Sequence, residues 1–413
     1  MPSNENRLNL PLTFEKSTLN DQLDYKAEKW LAVGLIAFVS SFIWSPSRDG
    51  LEVVYILFFL FPLGYLFFKR KAYKTINIDL NLVLIFIFCV YATITALWNT
   101  PKDIFFLLLQ LFLISTWITG AFWLVRENKI NLLKLFSILI FIGSIASVIT
   151  IIEFYGIRSQ SFNERLTCWC SAKNSNLIGG VYGILALMSY AFLITEVKLI
   201  NKLKYFIFFI LLVMPLAFSQ SRATLLAFLV SIIGALLIIR PKIWIVIFQL
   251  FLAILMALVS TILLSPTKLL ESRLMSGGER DLIWSEIYNQ LFERFFFGIG
   301  LSKDTKTIIP GVDVFNHTHN SWLDTFYRTG FIGFLLISLI TFTIVKKSLS
   351  LKSIEGKILF LWILFGVITL TFDHRILFWQ IDTKWFFYWI PAPLIIGLYK
   401  NHSLLEKTNV KLK

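Results

Sequence analysis

The sequence predicts an all-α polytopic membrane protein with about twelve transmembrane helices, and three observations carry that expectation. Apolar runs of about 15 to 23 residues recur from one end of the chain to the other, the length needed to cross a hydrocarbon core of about 30 Å. Of the 413 residues, 57% are hydrophobic and only 15% are charged, with a mean hydropathy of +0.73. A soluble surface needs about 25% charged residues. The basic residues, finally, gather on one side of the layout that these runs define.

The runs are read as spans at 30–46, 51–68, 81–98, 104–125, 131–152, 177–195, 205–219, 223–239, 243–265, 322–345, 358–372 and 386–399. They divide the chain into an N-terminal tail (1–29), helices one to nine (30–265), one large loop (266–321), helices ten to twelve (322–399) and a C-terminal tail (400–413). The first residues are too polar for a cleaved leader, so the first span is expected to stay in place. With an even number of spans, both ends fall on the same side. That side collects 24 Lys and Arg against 10 Asp and Glu, while the other carries 15 of each, so the whole net charge of +14 sits on one face. Lys and Arg favour cytoplasmic loops, so both termini are expected to be cytoplasmic and the large loop outward. The basic balance is thereby explained by topology, and no nucleic-acid partner is implied.

Cys89 lies within an apolar run and reads as a small buried hydrophobe. Cys168 and Cys170 form a CxC on an outward loop, where a bridge would close a very small, strained ring. Two cysteines without nearby histidines fall short of a zinc site. The spans carry no mid-membrane chain of Asp, Glu and His, and no paired Gly/Pro-broken helices, which argues against an ion-coupled transporter.

Chemistry is expected at the outer rim. Within the large loop, Ile283, Trp284, Ile287, Tyr288 and Leu291 recur at helical spacing between Arg280 and Phe296, predicting a helix at the membrane surface with its aromatic face toward lipid or bundle. Three stretches stand out. In Ser219-Gln220-Ser221-Arg222-Ala223 the arginine can bind an anion or merely snorkel to headgroups. Gly277-Gly278-Glu279-Arg280-Asp281 can be an ordinary helix start with acidic residues at the positive end of the dipole. His317-Thr318-His319-Asn320 opens a span, and nine residues later Gly330-Phe331-Ile332-Gly333 follows, whose glycines can simply allow close helix packing. Two of the chain's four histidines within three positions at a helix mouth point instead to proton transfer.

This order, His319-Asn320, nine residues, then Gly330 and Gly333, is preceded by Arg280-x-x-x-Trp284 and a Phe297-Gly298-Ile299-Gly300 turn. With Gln220-Ser221-Arg222-Ala223-Thr224 two spans earlier, it resembles the O-antigen ligase and polymerase family. The resemblance implies a GT-C-like glycosyltransferase that needs no metal or other cofactor. Such an enzyme takes a glycan from undecaprenyl diphosphate at the periplasmic face of the bacterial inner membrane and passes it to an acceptor hydroxyl. The acceptor is a lipid A–core sugar in ligases and a second lipid-linked glycan in polymerases. Matched residue by residue, His319 is the motif histidine and expected general base, and Arg222 and Arg280 are the arginines that hold the diphosphate. Gly330 and Gly333 form the glycine pair, and Asp373 stands where an acidic residue is sometimes found near the last outward loop. His317 and Asn320 are supporting candidates, Asn320 to orient the acceptor or the imidazole, and Trp284 belongs to the arginine motif.

The residue types suit that chemistry. Departure of a lipid diphosphate builds negative charge, which the planar guanidinium binds bidentately. An imidazole, with an ordinary pKa of about 6.5, can take the acceptor proton. Chain length and the Gln220–Thr224 stretch favour ligase over polymerase. A protein acceptor, as in related oligosaccharyltransferases, stays open. A non-enzymatic flippase would line the bundle interior with charge. A metal-dependent transferase would draw on Asp313 and Asp324 beside His317 and His319, although hard cations prefer all-oxygen sites.

Overall fold

The computed structural model describes residues 19–69, 79–98, 104–168, 170, 174–240, 279–302 and 318–411. Among them there is no strand. The helices in chain order are α1 (Leu19–Trp44), α2 (Arg48–Phe68), α3 (Leu80–Trp98), α4 (Ile104–Arg126), α5 (Leu132–Ile157), α6 (Ser175–Thr195), α7 (Leu199–Phe218), α8 (Arg222–Ile239), α9 (Glu279–Leu291), α10 (Ser321–Ser350), α11 (Ile354–Phe372) and α12 (Pro391–Lys411). Ten of these are long and apolar enough to cross a membrane, namely α1 to α8, α10 and α11. The all-α membrane architecture read from the sequence is therefore what the chain adopts.

Three details of the span pattern differ from the sequence reading. The first helix begins at Leu19, well before 30, so the polar turn carrying Asp24, Lys26 and Glu28 is helical and Glu28 pairs with Lys129 at 2.8 Å. The ninth span, 243–265, lies outside the described residues. The twelfth, 386–399, is not one regular helix: Trp385–Trp389 forms a π-turn, and α12 starts at Pro391. Its apolar residues are buried in the bundle (Trp385, Tyr388, Trp389, Leu394, Ile395), with α12 packed on α4. A π-turn loosens the regular i to i−4 ladder and leaves carbonyls to satisfy. Two buried indoles do so, Trp117 Nε1 donating to the Trp389 carbonyl at 2.8 Å and Trp362 Nε1 to that of Phe386 at 2.6 Å. The aromatic bias of the sequence thus packs the interior and also hydrogen-bonds its irregular turn.

Polar side chains punctuate the helices where each chain segment enters. Asp79, Asn131, Asn174, Asn320 and Ser353 each accept a backbone N–H from the first turn that follows, the ordinary way of satisfying orphan donors at a helix start. α6 is the central helix. It packs against α5, α7, α8 and α11, and its residues from Ile178 to Phe192 are buried without interruption. A helix that is apolar all round belongs in the middle of a bundle. The loops that begin α6, α8 and α10 and the one that follows α11 meet at one end of the molecule, which is where the functional candidates lie.

α9 settles against that end. Ile283, Ile287 and Leu291 are buried against Ile299 and Tyr327, while Tyr288 and Phe292 stay exposed. The helix expected from the periodicity is present, shorter than Arg280–Phe296, with its aliphatic stripe and Trp284 toward α10 and Tyr288 outward. The Phe-Gly-Ile-Gly turn then inserts into α10, which is broken at Gly330 (φ 69°, ψ −172°). Phe331 N donates to the Phe295 carbonyl at 2.8 Å, Ile299 N to that of Tyr327 at 3.0 Å and Gly300 N to that of Arg328 at 2.9 Å. Gly330 therefore does not serve close packing between two regular helices, whereas Gly333 faces α3, where an added Cβ would come 3.3 Å from Tyr91 Cε1. Gly330 opens the ladder of α10 so that another stretch of backbone can pair with it.

Candidate active site

His319 immediately precedes α10 and holds a left-handed backbone (φ 53°). That conformation is uncommon for a side chain larger than glycine and costs on the order of 1 kcal/mol or more. His374 (φ 84°) and Gln220 (φ 49°) share it at the same end of the molecule. Such departures cluster where a site fixes its side chains.

The His319 imidazole meets Asp373, the residue after α11, Nδ1 to Oδ1 at 3.2 Å. Oδ1 also accepts from the His374 backbone N–H at 2.8 Å, and Oδ2 accepts from Asn176 Nδ2 at 2.8 Å. Asn176, in the first turn of α6, accepts in turn from Arg165 Nη2 at 2.6 Å, and Arg165 Nε donates to the Ser219 carbonyl at 3.0 Å. A continuous chain of hydrogen bonds thus runs from His319 through Asp373, Asn176 and Arg165 to the segment that carries Arg222. Arg222 itself is exposed at the first position of α8.

Burial opposes ionisation of Asp373, but the hydrogen bond to His319, the charge of His374 and the donors from Asn176 and the His374 backbone outweigh it and hold the carboxyl well below the usual carboxylate range. It is therefore a carboxylate at neutral pH and can only accept. His374 is pushed the other way. Burial keeps its imidazole below the ordinary value despite the nearby carboxylates of Asp373 and Asp382.

The other predicted residues fall into place as follows. Asn320 spends its carboxamide oxygen on the Trp322 and Leu323 N–H groups, both at 3.0 Å, as the cap of α10. The N-cap geometry thus claims the oxygen, and the expected role in orienting the acceptor or the imidazole falls to Nδ2. Trp284 Nε1 donates to the Thr318 carbonyl at 2.9 Å, tying α9 to the residue before His319. Gly330 and Gly333 shape α10 behind the histidine. Arg280 lies in the first turn of α9, its side chain outside the described residues, as is His317.

Sequence reasoning missed several members of this site. Asn176 reads as one more polar residue at a helix start, and Arg165 as a loop charge. Asp324, named above only as a ligand in the metal-dependent alternative, and Arg328, which nothing singled out, form a buried pair inside α10, Nε to Oδ2 at 3.1 Å. Asp324 Oδ2 also accepts from Ile376 N at 2.7 Å, and Arg328 Nη1 donates to the Leu301 carbonyl at 3.0 Å. The pair thereby fixes both the loop after α11 and the Phe-Gly-Ile-Gly turn against α10. Their i, i+4 spacing was the only signal available. Cys168 and Cys170 are joined in a disulfide with Cα atoms 5.2 Å apart, within the range that disulfides use, so the CxC closes its small ring after all. The Leu166 N–H, donating to the Phe218 carbonyl at 3.0 Å, anchors the loop that carries both Arg165 and this bridge.

The chain is thus a polytopic helical membrane protein that holds a His–Asp pair, backed by arginines and helix N-termini, at one end. Residues 206–338, roughly a third of the chain, match the family model described as O-antigen ligase. Over that stretch the chain is similar to the O-antigen ligase family. The matched stretch runs from α7 into the second half of α10 and includes Arg222, Trp284, His319, Gly330 and Gly333, while Asp373, Asn176 and Arg165 lie outside it. No curated protein matches the chain.

Proposed function

We propose that the protein is an O-antigen ligase-type glycosyltransferase. In this reading it transfers a glycan from undecaprenyl diphosphate to a lipid A–core sugar hydroxyl at the periplasmic face of the inner membrane, without a metal ion. The observation that carries the reading is the His319–Asp373 pair joined through Asn176 and Arg165 to the Arg222 segment.

The chemistry follows from the geometry. Because Asp373 is ionised and can only accept, the neutral imidazole keeps its proton on Nδ1, which leaves Nε2 as the basic nitrogen. Nε2 takes the proton of the acceptor hydroxyl as its oxygen bonds to the anomeric carbon. The bond from that carbon to the diphosphate oxygen breaks, and the imidazolium that forms is held by the Asp373 carboxylate. The departing diphosphate is met by Arg222 and Arg280 and by the N-termini of α6, α8 and α10, whose dipoles favour an anion. Fixed positive charge at the place where negative charge develops is the largest single source of rate in such transfers.

The test is a reconstituted reaction with chelator and no added metal. Purified protein receives an undecaprenyl-diphosphate-linked glycan with rough lipopolysaccharide in one tube and no second acceptor in the other. A ladder on lipopolysaccharide is expected. Longer lipid-linked chains in the second tube would make it a polymerase with the same site, and a requirement for metal would overturn the mechanism. Arg280→Ala is expected to abolish transfer while leaving membrane insertion intact, and near-normal transfer would remove Arg280 from its role. Asp373 acts in this scheme through His319, and both its carboxylate oxygens are engaged by protein donors. Asp373→Asn is expected to lower kcat by about 100-fold or more, because an amide can donate to Nδ1 and impose the wrong tautomer. The donor KM should stay where it is. A change confined to KM would show that Asp373 contacts substrate instead.

A further inference from the structure

Beside the His–Asp pair lies a polar cavity of about 330 Å³ that the mechanism above does not use. Asp373 and Asp382 form part of its wall, together with His374, Lys384 and the exposed side chains of Arg48 and Arg375. Its volume is in the range of small-ligand sites.

The charges in this lining do not cancel. Lys384 is buried and paired with Asp382 at 2.7 Å, and Asp373 is engaged by His319 and Asn176. Arg48 donates to Gln380 Oε1 at 2.7 Å, with the carboxylates of Asp49 and Glu52 farther off at 3.7 and 3.8 Å. The Arg375 guanidinium has no partner among the described residues, although its backbone is fixed by Ser321 Oγ, which donates to its carbonyl at 2.6 Å. The buried Nε2 of His374 is likewise unpartnered among them. An unused guanidinium, a second one on a short tether and an unfilled ring nitrogen around one cavity form a set suited to a polyhydroxylated ligand that carries an anionic group.

We infer that this cavity is the acceptor-sugar subsite and that it selects an acceptor bearing a phosphate or carboxylate, bound by Arg375 with Arg48. The assignment to the acceptor rests on the proposed function. The cavity meets the site at Asp373, the carboxylate that holds His319, and the segment carrying Arg222 is reached from the same carboxylate through Asn176 and Arg165.

Binding is tested apart from transfer. The full chain in lipid nanodiscs is titrated calorimetrically with glucose 6-phosphate, glucuronate and glucose. Both charged sugars are expected to bind at least about tenfold more tightly than glucose, a preference worth one charge-assisted contact. Arg375→Gln should erase the preference, Arg375→Lys should retain most of it, and His319→Ala should leave it unchanged. No preference in the wild type, or one that survives Arg48→Gln with Arg375→Gln, overturns the site; so does its loss in Arg375→Lys. In the transfer assay Arg375→Gln is expected to raise the KM of a phosphorylated acceptor and leave the donor KM alone, whereas a rise in donor KM would give the cavity to the donor glycan. Failure of wild-type transfer would count against the proposed function, while the sugar titrations would still decide the charge preference.

Discussion

Replacing His319 by alanine is expected to lower kcat by about 10²- to 10⁴-fold, the usual contribution of a positioned general base. The donor KM should remain within about twofold, since the imidazole acts on the acceptor proton and has no part in holding the diphosphate. A loss of activity could also come from a disturbed helix start, and the backbone of His319 offers a control. At φ 53° a side chain is strained and glycine is not, so His319→Gly should relieve on the order of 1 kcal/mol of strain while removing the base. Both variants lose the bond to Asp373 and only glycine sheds the strain, so the expected result is a protein that melts above His319→Ala in nanodiscs and is as inactive. If His319→Gly transferred glycan at a rate near the wild type, the imidazole would not be the base and the strained conformation would need another explanation.

How much of this site was legible in the sequence depended on whether the signal was local. The helix periods, the Lys and Arg bias and the ordered motifs from Gln220 to Gly333 are patterns within short windows, and they gave the architecture, the family resemblance and His319. Asp373 was named from its position near the last outward loop. Its contact with His319, across 54 residues, is a product of how α10 and α11 pack and has no trace in the neighbouring sequence. Asn176 and Arg165 are harder still. An asparagine two residues after another at the start of a helix looks like capping, and Asn174 does cap α6, so nothing marked its neighbour as the link between Asp373 and Arg165. Asn320 shows the opposite case. It stood in the motif and drew a chemical role, while the bond its side-chain oxygen makes is the commonest one at a helix N-terminus. Motif membership thus located the site without separating the residue that reacts from the residues that hold it.

The glycine pair gives the largest predicted effect on stability, and its two members should behave differently. Were Gly330-x-x-Gly333 a packing motif between regular helices, alanine at either position would cost a similar, modest amount. At Gly330 the backbone occupies a region open essentially to glycine alone, and a Cβ there would stand 2.2 Å from the Phe296 carbonyl oxygen and 2.4 Å from Phe297 N. Those atoms are backbone and cannot swing aside, because Gly298 N is bonded to the Arg294 carbonyl at 2.8 Å and Phe331 N to that of Phe295 at 2.8 Å. Relieving the clash means withdrawing the turn, and with it the Arg328 bond to Leu301 and the packing of α9. Gly330→Ala is therefore expected to cost about 3 to 5 kcal/mol, from backbone strain together with a broken buried network. At Gly333 a Cβ would meet Thr329 Oγ1 at 2.0 Å and Thr329 Cβ at 2.5 Å, atoms of one short side chain and not of the inserted backbone, so the turn carrying Thr329 must give along with its rotamer. Gly333→Ala should cost about 1 to 2 kcal/mol, the price of modest overpacking. Thermal unfolding of both variants in nanodiscs checks the contrast. Equal shifts in melting temperature would mean that α10 is continuous through Gly330 in the membrane, and that the inserted Phe-Gly-Ile-Gly turn does not position His319.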